Sequence, residues 1–390
     1  MNTIFYLALL LIAGLLLARI LGLIKFPDVT GYLIAGILIG PSVLHLIPKG
    51  AVENLSLLST IALSFIAFSV GSEMDVNKIK KMGSKIFIVT LSEALGAVIL
   101  VTCIMLFVFK ESLAFSLVLG SIASATAPAA TLMVIRQYQA KGDLVDALIP
   151  VVALDDAVCI MAFGIASSIA SALISSGSIN LMSMLVKPIF EIVMAIVVGI
   201  IGGTIYIFVS KKIKNDGENL SFTLATIFII TAIAMKFNLS SLLTLMTVGL
   251  VAANFGRLNR RYMSLINTIT PPLFIIFFVL SGADLDLGNL SAVGLIGVAY
   301  IFTRVAGKFL GAFFSTRWTG FPKSVQNYLG LTLAPQAGVA IGLSLIAKEI
   351  IPAPYGTEIR TIVLGATIVY ELVGPLLAKF ALEKSGSIPK

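Results

Sequence analysis

Apolar residues run along this chain in long unbroken blocks, separated by short clusters of charge, Gly, Pro and Asn. Blocks of about 17–25 residues suit helices that cross a bilayer. Thirteen are predicted: Thr3–Ile24, Val29–Ile47, Leu55–Ser72, Ile86–Phe109, Leu113–Ile135, Leu144–Ile174, Val186–Ser210, Leu220–Met235, Leu239–Asn254, Leu265–Ala283, Leu290–Ser315, Val325–Ala347 and Ile359–Phe380. The expected fold class is an all-α polytopic membrane protein. No second, polar domain is expected, because the chain stays apolar to Phe380. The N-terminal run lacks a charged n-region and a small-residue cleavage site, so it reads as the first span and not as a signal peptide.

An odd number of spans puts the termini on opposite sides of the membrane. Lys25, Lys78, Lys80, Lys81, Lys85, Arg136, Lys141, Lys211, Lys212, Lys214, Arg257, Arg260, Arg261, Arg317, Lys323, Lys379, Lys384 and Lys390 then share one side. The other side receives only scattered bases such as Lys49, Lys110, Lys187, Lys236, Lys348 and Arg360. Because Lys and Arg accumulate in cytoplasmic loops, the N-terminus is expected outside and the C-terminus inside the cell membrane.

Composition agrees: 58% of residues are hydrophobic, 12% are charged and the mean hydropathy is +1.06, far from soluble-domain usage. The net charge of +8 is the loop bias, so no nucleic-acid partner is needed to explain it. Cys103 and Cys159 fall inside spans, where a thiol acts as a small hydrophobe. His45 is the only histidine, which excludes a histidine-cluster pH sensor.

Charge within the spans carries the chemistry. Asp155 and Asp156 are adjacent in LIPVVALDDAVCIMAFGIASSIASALI, and an intramembrane carboxylate costs several kcal/mol unless it has a function and a partner. Two neighbouring carboxylates suit a site for cations and protons. The remaining deep ionisable residues are Glu93, Arg304, Lys308 and Glu371, with Arg19 and Glu191 near span ends, where they can snorkel. Arg304 and Lys308, four residues apart, share a helix face and require acidic partners. Lys308 is the expected partner of Asp155. Glu371 is a candidate second proton site or a structural acid.

The chain also repeats itself. Gly71-Ser72-Glu73-Met74-Asp75 closes span three, and Gly282-Ala283-Asp284-Leu285-Asp286 closes span ten, 211 residues later. The same offset lays Ser92-Glu93-Ala94-Leu95-Gly96-Ala97 on Thr303-Arg304-Val305-Ala306-Gly307-Lys308. GSIASATAPAATL matches GLTLAPQAGVAIG at a slightly different offset, and Asp156 matches Glu371. Residues 1–174 and 220–390 are therefore expected to be two repeats, joined by span seven within 175–219. Seven intervening spans invert one half relative to the other, an architecture of secondary transporters. Glu93 and Arg304 occupy equivalent positions, and a structural ion pair between them is expected.

Spans five and twelve contain Ser124-Ala125-Thr126-Ala127-Pro128 and Leu333-Ala334-Pro335-Gln336-Ala337-Gly338. Proline removes a donor and clashes with the preceding turn, freeing backbone groups at membrane depth. Interruptions at corresponding places in inverted halves mark a transporter's binding site, so Pro128 and Pro335 are expected to break two helices that cross.

These motifs together resemble the monovalent cation/proton antiporters of the sodium/hydrogen exchanger superfamily, in particular the bacterial paired-aspartate branch. The resemblance runs through FPDVTGYLIAGILIGPS, FSVGSEMD, SATAPAA, LDDA and RVAGKFLGAF. It implies a core domain of spans four to six and eleven to thirteen that moves, elevator-like, against a scaffold forming a homodimer. It also implies cation coordination by Asp156, the lysine partner role for Asp155, and Thr126 at the edge of the site. Ala127 stands where some relatives carry an acid after the threonine, and span twelve reads PQAGVA where many carry an acidic residue, which removes ligands and leaves ion preference open.

A hard monovalent cation needs oxygen ligands; carboxylates, a hydroxyl and freed carbonyls offer them. Competition between cation and proton for one site is enough for exchange by alternating access. The expected function is sodium/proton antiport, with lithium or potassium as alternative cargo and no cofactor or enzymatic activity. An aspartyl protease would need its carboxyls face to face, whereas helix neighbours point about 100° apart. The nearer alternative is a sodium-coupled organic-anion symporter of the same architecture, with Arg304 as the anion contact.

Overall fold

The computed structural model describes residues 3–73, 76–175, 181–213, 215–237, 239–256, 260–285, 287–288 and 293–389. Met74, Asp75 and Asp286 of the repeated pentapeptides, Leu290 at the start of span eleven, part of the 175–219 linker, and the loop bases Lys214, Arg257 and Lys390 lie outside the described residues. Among the described residues there is no strand. Seven helices among the described residues are long and apolar enough to cross a membrane, and six shorter apolar helices accompany them. Large apolar side chains face outward, as at Phe107, Phe208, Phe302 and Trp318. That is the surface a bilayer favours. The chain is a multi-pass membrane protein.

Two compact units emerge, each built from separate stretches of sequence. The first comprises 1–19, 32–81 and 189–284. It holds the greater part of α1 (Thr3–Gly22), α2 (Asp28–Ile39), α5 (Val76–Met82) and α10 (Leu181–Ser210), and all of α3 (Lys49–Asn54), α4 (Ser56–Glu73), α11 (Asp216–Lys236), α12 (Ser241–Phe255) and α13 (Arg260–Asp284). Small residues let its helices touch backbone to backbone: a Cβ on Gly71 would strike the Met246 carbonyl, and one on Gly249 the Phe68 carbonyl. Its buried hydroxyls find partners, Thr231 donating to Ser64 at 3.0 Å and Tyr206 bonding Thr223 at 3.0 Å.

The second unit comprises 20–31, 82–188 and 285–390. It holds α6 (Ser84–Cys103, ending in a π turn over Ile104–Val108), α7 (Leu113–Ile122), α8 (Pro128–Gln137), α9 (Asp143–Ser175), α14 (Gly294–Trp318), α15 (Lys323–Thr332), α16 (Gly338–Ile350) and α17 (Tyr355–Lys384). Its apolar core gathers Val101, Met105, Phe115, Leu119, Phe163, Ile362 and Tyr370, with Cys159 as a small buried member. Ser112 opens α7 as an N-cap, accepting from the Phe115 N–H at 3.2 Å, which satisfies one of the donors a helix start leaves free.

Spans five and twelve are each two helices with a break between them. α7 stops at Ile122 and α8 resumes at Pro128, while α15 stops at Thr332 and α16 resumes at Gly338. Proline acts differently in the two. Pro128 occupies the first turn of α8, where its missing N–H costs nothing. Pro335 lies within the unwound stretch itself.

Candidate functional site

Helix α14 presents one buried stripe at a spacing of four: Tyr300, Arg304, Lys308, Ala312 and Thr316. A four-residue step keeps side chains on one face. A guanidinium and an ammonium therefore enter the unit's interior one turn apart, both wholly buried.

Glycine brings α6 and α14 into backbone contact. A Cβ on Gly96 would meet the Gly307 carbonyl oxygen at 2.5 Å, and one on Gly307 would meet that of Gly96 at 2.6 Å. Gly311 lies against the Ser92 carbonyl and the Glu93 backbone. Positions rising along α6 thus face positions falling along α14, so the two helices are antiparallel and cross where the two equivalent glycines meet.

This crossing corrects the expected Glu93–Arg304 pair. Residues equivalent in the two repeats lie on opposite sides of such a crossing, which puts Glu93 beside Lys308 and Gly311. The Lys308 Nζ donates to Glu93 Oε2 at 2.6 Å and to Asp155 Oδ2 at 3.4 Å, all three groups being buried. Lys308 does meet Asp155, but Glu93 is the shorter contact.

Arg304 serves the broken helices. Its Nε donates to the Ala123 carbonyl at 3.0 Å, Nη1 to Ala334 at 2.7 Å, and Nη2 to Ala125 at 2.6 Å and Pro335 at 3.4 Å. The guanidinium also lies 4.4 Å from the Tyr370 ring centroid, a cation–π distance. The carbonyls expected to be free for an ion are the ones this arginine binds. α7 and α15 both end at these carbonyls, and a cation at helix C-termini offsets their partial negative charge.

Further bonds tie the two breaks together. The Ala127 N–H donates to the Pro335 carbonyl at 2.9 Å, and Thr131 Oγ1 donates to the Thr332 carbonyl at 2.9 Å. The Gln336 Nε2 donates to the Ile122 carbonyl at 2.9 Å, while its Oε1 lies 3.2 Å from the Tyr300 hydroxyl. Gln336 thus ties the break in span twelve to α7 and α14. Tyr300 and Tyr370 escaped the sequence reading, although Tyr300 stands one turn before Arg304 on the same face.

Buried oxygen atoms remain. Thr126 Oγ1, Asp155 Oδ1 and Glu93 Oε1 have no hydrogen-bond partner among the described residues. Asp156, one residue along α9, is 9% exposed against 1% for Asp155. Glu371 is buried on α17, next to Tyr370 and one turn before Gly374, against which Pro335 packs. The arrangement offers oxygen ligands to a hard cation and carboxylates that accept protons. Among the described residues no group of three or more His, Cys, Asp or Glu side chains has metal-cage geometry.

Comparison with known proteins places these observations. The family model described as sodium/hydrogen exchanger, transmembrane, matches residues 7–384. The chain is 23% identical to the high-affinity Na(+)/H(+) antiporter NhaS3 of Synechocystis, over 94% of this chain and 87% of that one. It is 23% identical to the probable Na(+)/H(+) antiporter 3 of Methanocaldococcus jannaschii, over 91% and 90%. The fold is similar to the solved structure of the sodium proton antiporter MjNhaP1 from M. jannaschii at pH 8, with a TM-score of 0.75 at 20% identity, covering 99% and 98% of the two chains. A second structure of MjNhaP1, an electron-microscopy map, matches with a TM-score of 0.80.

Proposed function

Since this chain belongs to the sodium/hydrogen exchanger family, we propose that it is a secondary antiporter, exchanging sodium for protons by alternating access at Asp155 and Asp156. The observation that carries this reading is Lys308, buried and shared between two carboxylates beside the meeting of two broken helices. A lysine placed so supplies a charge that an entering cation must displace.

Lys308 contacts Asp155 at 3.4 Å. A cation bound by Asp156, Asp155 and the unpartnered Thr126 hydroxyl takes over that contact. Protons on the same carboxylates exclude the cation. Neutralised forms cross between inward- and outward-facing states, whereas the bare charged form is held back by the cost of charge at membrane depth. Glu371 is a second place for a proton.

The wider reading follows the same lines. Repeats at 1–174 and 220–390 supply a moving core of spans four to six and eleven to thirteen, and the remaining spans form a scaffold that pairs two copies. The protein sits in the cell membrane with its N-terminus outside and its C-terminus in the cytoplasm. Lithium and potassium are candidate alternative cargo. The organic-anion symporter is set aside, because the basic contact it would need, Arg304, has its donors on backbone carbonyls.

Reconstituted liposomes carrying an imposed proton gradient and a pH-sensitive dye test the function. A pulse of sodium should dissipate the gradient, and lithium and potassium pulses rank the selectivity. Absence of any cation response, with uptake of a labelled organic anion instead, would overturn antiport.

A further inference from the structure

We infer that Glu93 is a positioning residue that sets the affinity for the transported cation, by holding Lys308 back from Asp155. The inference rests on the site reading above and extends it to a third carboxylate.

The geometry is unequal. A charge-assisted N–H···O bond is strong at about 2.7–2.9 Å and weakens beyond about 3.2 Å. The Lys308–Glu93 contact, at 2.6 Å, is at the strong end, while Lys308–Asp155, at 3.4 Å, is a loose one. Asp155 Oδ1, its other oxygen, is buried and has no hydrogen-bond partner among the described residues. The lysine therefore commits to Glu93 and only brushes Asp155.

The inequality is built into the helices. Glu93 and Lys308 stand on α6 and α14, which touch backbone to backbone through Gly96, Gly307 and Gly311. Asp155 comes from α9, outside that contact. Packing without intervening side chains leaves Glu93 and Lys308 little freedom to separate. A cation arriving at Asp155 and Asp156 consequently displaces a loose contact instead of a tight ion pair, and Lys308 keeps a counter-charge when Asp155 turns to the cation.

With Glu93 neutral, the balance reverses. The ammonium loses its better anion, turns to Asp155, and competes with the cation for that carboxylate. Glu93→Gln should therefore raise the sodium KM about tenfold, equivalent to about 1.4 kcal/mol. The sodium concentration that half-saturates thermal stabilisation of the purified protein should rise by a similar factor, since ligand stabilisation follows occupancy. Glu93→Asp, which keeps the charge on a shorter stem, should restore part of the affinity and fall between the two.

Both readouts are taken on wild type, Glu93→Gln and Glu93→Asp in parallel. A raised KM and a raised half-saturation in Glu93→Gln, with partial recovery in Glu93→Asp, support the inference. A lowered maximal rate with sodium KM and half-saturation unchanged would make Glu93 merely structural and overturn it. If Glu93→Gln does not fold, Glu93→Asp decides: affinity equal to wild type overturns the inference, and a few-fold loss supports it. A wild-type protein with no sodium response in either readout removes the antiport reading and this inference together. A responsive wild type with indifferent variants removes the inference alone.

Discussion

Replacing Arg304 by Met keeps an unbranched apolar stem, ends short of the guanidinium and deletes every donor that Arg304 offers to the two broken helices. Three of the bonds lost are short, at 2.6, 2.7 and 3.0 Å. The fourth, at 3.4 Å to Pro335, counts for little. Hydrogen bonds to charged groups contribute about 1.5–3 kcal/mol each, and the carbonyls left behind are buried where water cannot replace the donor. Relaxation of the unwound stretches and the non-additivity of clustered bonds reduce the simple total, so a loss of about 4 kcal/mol is expected. For a unit of this size that corresponds to a drop of about ten degrees in thermal midpoint.

Arg304→Lys separates charge from geometry. An ammonium is a point of charge, whereas the guanidinium reaches Ala123, Ala125 and Ala334 from three different nitrogens. Lysine retains the favourable charge at the C-terminal ends of α7 and α15 but cannot span both breaks, and should recover no more than about half the loss. The assay is thermal unfolding in detergent, followed by size-exclusion of the surviving monodisperse fraction. A midpoint for Arg304→Met within error of wild type, or full recovery by lysine, would refute the view that this arginine holds the two interruptions together.

Other expected outcomes follow from the same geometry. Asp156→Asn should abolish sodium-driven proton flux while leaving the thermal midpoint near wild type, and Asp155→Asn should reduce flux; both are read with the pH dye in liposomes. Lys308→Met should destabilise by about 3–5 kcal/mol, because it strands buried carboxylates, and Glu93→Gln by less, because the ammonium still has Asp155; the double variant should be milder than the sum of the two, a double-mutant cycle on thermal unfolding measures this, and additive losses would refute the pairing. Gly311→Val places a side chain on the Ser92 carbonyl and should push α6 from α14, costing several degrees in midpoint and most of the transport; a variant that retains both would show that the helices need not touch.

Much of the architecture was legible in the residues alone. Length and unbroken apolarity dictate membrane helices, because a backbone in lipid must satisfy its own hydrogen bonds, and the all-helical fold bears this out. Two proline-bearing polar interruptions at matching places announced the two discontinuous helices. The motifs around Asp155, Asp156 and Lys308 carried the family, which the match over residues 7–384 establishes. Each of these is a local property, legible within a few turns of chain.

Which base meets which acid was not legible, and only the tertiary structure decided it. Glu93 and Arg304 align between the repeats, and alignment invites pairing. Yet the two helices run antiparallel and cross where Gly96 meets Gly307. Residues before the glycine on α6 therefore face residues after it on α14, and Glu93 goes to Lys308 while Arg304 is left for the carbonyls of the breaks. A charge in a membrane interior must be met by whatever lies within bonding distance, and that distance is set by where two helices cross.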